Sequence, residues 1–76
     1  MGCPERDRLA EAVNDSLERI VKLTQEQLVV FRKGVLRRFE DLDRELEHAV
    51  GEKERRVGAL REHEREHGCL SRTARE

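Results

Sequence analysis

His63-Glu64-Arg65-Glu66-His67 places two histidines four residues apart, with a glutamate beside the first. On a helix this spacing puts both imidazoles on one side, where they can hold a zinc ion while the glutamate serves as general base. Protease chemistry of that kind also needs a third ligand, an open coordination position and a walled cleft. Only nine residues follow His67, and no strand pattern is present to wall a cleft. Glu64 is expected to lie ~100° round the helix from His63, toward solvent. Metalloprotease activity is therefore not expected.

A structural metal site asks for less. Cys3, His63, His67 and Cys69 make a Cys…His-x3-His-x-Cys set, a group of soft and borderline ligands such as zinc takes tetrahedrally, provided the chain folds back on itself. The metal would clasp the open end of a hairpin and lend stability to a small chain. The same fold would also allow a Cys3–Cys69 disulfide. A reducing, cytoplasmic setting counts against a permanent one. In the third reading the ends carry no bond, and the histidines are the polar end of a tapering seam. Spacing does not decide among the three. No cofactor is expected, zinc being the alternative.

What must position these residues is helical. Apolar side chains recur at helical spacing from Leu9 to Leu60, and alternation with period two is absent. In the first half a row runs Ala10, Val13, Leu17, Ile20, Thr24, Gln27 and Phe31. Leu9, Leu23 and Val30 flank one side of it, Val21 and Leu28 the other. In the second half the row runs Val35, Phe39, Leu42, Leu46, Ala49, Lys53, Arg56 and Leu60, with Val50 and Val57 alongside, and His63 and His67 continue it. The expected interaction core is Leu9, Val13, Leu17, Ile20, Leu28, Phe31, Phe39, Leu42, Leu46, Val50, Val57 and Leu60. Polar Thr24, Gln27, Lys53 and Arg56 either fix register within these seams or snorkel from them.

Pro4 suits a first helical position, and Glu5 and Asp7 suit the positive end of the helix dipole. Acid-first pairs at i,i+4, namely Asp15–Arg19, Glu18–Lys22, Glu40–Arg44 and Glu52–Arg56, are expected to support the helices. Lys33-Gly34 reads as a helix end, which predicts two antiparallel helices over about 4–33 and 35–67. Against a bend stand Val35, a poor N-cap, and Arg37 and Arg38 at the positive end of the second helix. One continuous helix in a coiled coil is the alternative. In the hairpin, residue i faces residue ~68−i, for arms of ~45 Å. Residues 1–69 then form one helical domain, with Gly68 ending the second helix and a frayed tail over 70–76.

Composition limits the partners. The chain has 76 residues, of which 43% are charged and 36% hydrophobic, with no Trp or Tyr. A chain this size builds a core worth only ~3–5 kcal/mol, so a staple, metal or partner chain is expected. Sixteen basic and seventeen acidic residues leave a net charge of −1. That balance speaks against a nucleic-acid or anionic-membrane binder. Arg32, Lys33, Arg37 and Arg38 form a basic tip at the bend, but no base-reading element accompanies them. The longest apolar run, Leu28-Val29-Val30-Phe31, is far short of a membrane span. "MGCPER" starts like a myristoylation site but has Arg6 where Ser or Thr is wanted. No nucleophile–base set, P-loop or dinucleotide motif occurs, and the carboxylates sit on solvated faces, so catalysis is not expected.

With "CPERDRL" near one end, "LDRELEHAVGEKERRVGALREHEREHGC" near the other and a glycine bend between, residues 3–69 resemble small bacterial two-helix proteins. The resemblance implies a helical hairpin and brings no activity with it. A looser similarity is to flagellar-type export chaperones, whose amphipathic hairpins hold a partner's helix. The resulting expectation is a cytoplasmic, non-catalytic interaction module whose apolar face drives self-association, most simply as two hairpins in a four-helix bundle. Its rivals are the metal-clasped or metal-sensing hairpin and a small chaperone or adaptor for another protein's helix.

Overall fold

The computed structural model describes residues 3–67, with His67 through its backbone alone. Among the described residues, α1 spans Pro4–Lys33, α2 spans Leu36–His67, and no strand is present. Contacts between the first residues of α1 and the last of α2 make the pair an antiparallel hairpin, 50 × 20 × 17 Å overall. The continuous helix is thereby set aside. Gly68, Cys69 and the tail over 70–76 lie outside the described residues.

Local chemistry explains where the helices begin and end. Cys3 is extended (φ −107°, ψ 108°), Pro4 opens α1, and the Asp7 amide donates to the Cys3 carbonyl at 2.9 Å. At the bend, Gly34 takes φ +76°, a left-handed conformation that side chains resist. Its amide donates to the Phe31 carbonyl at 3.0 Å, and the Val35 amide to the Val30 carbonyl at 3.3 Å. This paired pattern is a Schellman ending, and it satisfies carbonyls that a helix end otherwise leaves open. Val35 does stand at the head of α2, since its carbonyl accepts the Phe39 amide at 3.1 Å. The cost of Arg38 at that positive end is met from the other helix. Glu26 accepts a hydrogen bond from the Arg38 guanidinium at 2.8 Å, which raises the arginine's pKa and puts a carboxylate near the head of α2.

The seam of α2 follows the expected row. Leu42 is fully buried, Ala49 nearly so, and Leu46 packs against them. α1 is turned differently from the row read in its sequence. Leu23 faces α2 and is buried, with Ile20 and Val30 packed beside it, whereas Leu17, Thr24 and Phe31 are exposed. Two interleaved rows at 3-4 spacing therefore share α1. Leu9, Val13, Ser16, Ile20, Leu23, Gln27 and Val30 face the hairpin seam. Leu17, Val21, Thr24, Leu28 and Phe31 lie outside it.

Two of the four polar seam residues, Arg56 and Gln27, are paired across the hairpin. Arg56 donates to the buried Ser16 hydroxyl at 2.7 Å and to the Ala12 carbonyl at 3.2 Å. Gln27 donates to Asp43 at 3.1 Å. These contacts fall within about four residues of the register of residue i against ~68−i expected from a bend at Gly34. Ion pairs also depart from the expected i,i+4 set. Glu52 does pair with Arg56 at 3.9 Å, but Arg19 crosses to Glu52 at 3.7 Å and Arg44 turns to Asp41.

The glycines inside α2 serve no close approach within the hairpin. A Cβ on Gly58 would meet nothing within 4 Å, and one on Gly51 would touch only the Arg55 side chain at 3.8 Å. Gly58→Ala and Gly51→Ala are each expected to stabilise the protein by ~0.5–1 kcal/mol, seen as a higher Tm. A fall in Tm for Gly58→Ala would mean that something outside this chain packs there.

Candidate functional site

At the open end, the start of α1 and the last turns of α2 bring together two of the four residues read as metal ligands. Cys3 Sγ and His63 Nε2 stand 3.3 Å apart, and His63 is buried. The hairpin register delivers this meeting, since Cys3 precedes α1 and His63 continues the α2 seam. His67 lies in α2, but its side chain and all of Cys69 fall outside the described residues. Among the described residues, no group of three or more His, Cys, Asp or Glu side chains is placed to hold a metal ion.

Glu64 departs from expectation. It is turned toward α1 rather than solvent, with its Oε2 3.6 Å from Arg6 Nε and both atoms shielded. A carboxylate facing a guanidinium in this way is a structural partner. It is not placed as a free general base beside His63.

The hairpin has two unlike flanks. Along one run charges from both helices: Arg19 with Glu52, Arg38 with Glu26, Arg44 with Asp41, and His48 and Arg55 nearby. This shallow surface is largely self-compensated. Its pairs are half-exposed, a class usually worth ~0–1 kcal/mol each.

The other flank is apolar. Leu17, Val21, Leu28 and Phe31 of α1 are between 45% and 59% exposed. Isolated exposed leucines need no explanation, but a row repeating at 3-4 spacing has the pattern of a coiled-coil seam. The Phe31 ring leans on Phe39 of α2, centroids 5.5 Å apart, and the two rings with Thr24, Gln27 and Leu28 line a shallow groove. A second groove lies farther along α1 between Leu17, Val21, Lys22 and Gln25. Thr24, the polar member of the row, donates its hydroxyl to the Ile20 carbonyl at 2.7 Å. It can be covered without losing a hydrogen bond.

Of the expected interaction core, Leu42 is buried in the hairpin, and Leu9, Val13, Ile20, Phe39, Leu46, Val57 and Leu60 are half-buried there. Leu17, Leu28, Phe31 and Val50 face outward. Leu23 and Ser16 were missed as central seam residues. The signal for Ser16 was indirect: Arg56 in the opposite seam needed an acceptor. In the basic tip, Arg32, Lys33 and Arg37 are exposed, while Arg38 is held by Glu26. No described helix is long and apolar enough to cross a membrane. Comparison with protein-family models, with curated proteins and with solved structures finds no match.

Proposed function

We propose that the chain is a non-catalytic helical interaction module that works by pairing with a second copy of itself through the outer row of α1. The supporting observation is the exposed run from Leu17 to Phe31, five positions at 3-4 spacing on one side of a helix whose other side is already packed. Covering such a row removes apolar surface from water at roughly 25 cal/mol per Å². One flank of a 50 × 20 Å body is also broad enough for the ~800 Å² per partner of an ordinary specific interface. The hairpin core adds a second reason. Leu23, Leu42 and Ala49 are its buried apolar residues among those described, a small core that gains from further burial. A cytoplasmic setting goes with this reading, because one pair of cysteines is sparse for a secreted disulfide scaffold.

Thermal unfolding at several protein concentrations tests it. If folding and pairing are linked, Tm rises with concentration by mass action. A Tm independent of concentration, with a dye bound on the apolar flank of a monomer, would replace this reading with that of an adaptor for another protein's helix.

A second reading is the metal-stabilised hairpin clasped by Cys3, His63, His67 and Cys69. The 3.3 Å approach of Cys3 Sγ to His63 Nε2 supports it, because two ligand types meet where the register requires. Metal analysis of untagged protein, with Tm measured in chelator, tests this reading. Sub-stoichiometric zinc and an unchanged Tm would remove it.

A further inference from the structure

We propose that the bend is a docking tip for the surface of an anionic lipid bilayer, which the hairpin meets end-on without crossing. This goes beyond the self-pairing reading and does not depend on it. Three large apolar side chains stay exposed at the bend and belong to neither the hairpin seam nor the outer row: Val29 at 49%, Val35 at 47% and Leu36 at 61%. They surround the left-handed Gly34, at one end of a body 50 Å long. Leu36 is the most exposed large apolar side chain among the described residues.

The same end carries an unbalanced charge. Four of the chain's sixteen basic residues, and none of its seventeen acidic ones, lie between Leu28 and Phe39. Glu26 holds Arg38 at 2.8 Å, which leaves Arg32, Lys33 and Arg37 exposed around the apolar side chains. Glu40 is the first acid beyond them in α2, a turn farther from the bend. The net charge of −1 is thus an average over the chain and does not describe its tip. Exposed apolar side chains mixed with cations match the edge of an anionic bilayer: the former enter the acyl boundary, and the latter stay among the headgroups. Long Arg and Lys stems permit both at once. A phosphate polymer such as RNA would satisfy the cations and leave Val35 and Leu36 in water. Shape also favours lipid. Val29, Val35 and Leu36 line none of the described grooves, and fluid lipid closes around such side chains without needing a matching cavity.

Co-sedimentation of the full chain with vesicles tests this. Phosphatidylcholine vesicles containing phosphatidylserine should bind at least ~10-fold more tightly than pure phosphatidylcholine. Lys33→Ala/Arg37→Ala should weaken that binding at least ~10-fold, and Leu36→Ser at least ~5-fold. Both variants change exposed side chains, so circular dichroism should show unchanged helicity. The chain holds no Trp, so Leu36→Trp installs a single reporter at the tip. Its emission should shift to the blue on the mixed vesicles, whereas that of Glu47→Trp, midway along α2, should not. Absence of binding to the mixed vesicles would overturn the proposal. So would a Leu36→Ser variant that binds like the parent, because contact would then be through charge alone. Blue shifts at both Trp positions would mean that the hairpin lies flat, which contradicts end-on docking. Binding to single-stranded RNA in place of vesicles would make the tip a phosphate site and overturn it as well.

Discussion

Replacing Leu42 with alanine is expected to unfold the hairpin at low micromolar concentration. Leu42 is 0% exposed and packs with Leu23, Ala49, Ile20, Val30 and Leu46, so truncation opens a cavity where the two helices are held together. Losses of ~2–5 kcal/mol are usual for such a change, against ~3–5 kcal/mol for the whole of a core this small. Far-ultraviolet circular dichroism should show most of the helicity lost at 25 °C. Glu47→Ala, on an exposed position of the same helix, should stay within ~0.5 kcal/mol of the unaltered chain. A Leu42→Ala protein melting like the parent would mean that the seam around Leu23 and Leu42 is not what joins the helices.

The second large effect concerns pairing. Leu28→Glu combined with Phe31→Glu puts two carboxylates in the second half of the outer row and is expected to weaken self-association at least ~100-fold. The hairpin itself should survive, because Leu28 is 50% and Phe31 59% exposed within it. Phe31 does touch Phe39, a contact worth about 0.5–1.5 kcal/mol, so Leu28→Glu alone serves as the cleaner variant. Size-exclusion elution with a light-scattering mass reads the outcome. Variants still paired at the parent's affinity would place the interface elsewhere on the molecule.

The contrast between the helices shows what could be read in advance. α2 carries few apolar residues, and they define one row: Phe39, Leu42, Leu46 and Ala49 had only one side on which to lie. The bend was legible in the helix ending Lys33-Gly34, although Val35 as a poor N-cap and the arginines after it spoke for a continuous helix. α1 is apolar over a broader arc, and its middle was taken for its contact line. Its actual contact line contains Ser16 and Gln27, which look unsuitable for a core until Arg56 and Asp43 are seen opposite them. Periodicity finds apolar arcs, but the rotation of a helix within its arc is decided by polar partners distant in sequence. The same holds for Glu64, whose turn toward Arg6 depends on the register of the whole hairpin.

At the Cys3–His63 end, sequence supplied the residue types and the hairpin supplied their meeting. The H-E-x-x-H spacing gave no sign that Glu64 is engaged across the hairpin by Arg6. Among the described residues, His63 is the last buried one of a seam that began at Phe39. The proposed function rests on the outer row of α1, which helix–helix packing within one chain leaves uncovered.

The mass of the unaltered chain in solution tests that account most directly. Sedimentation equilibrium from low to high micromolar concentration should converge on twice the 8.9 kDa chain mass, with a single monomer–dimer constant describing every loading. A mass that stays at 8.9 kDa across the whole range would contradict it.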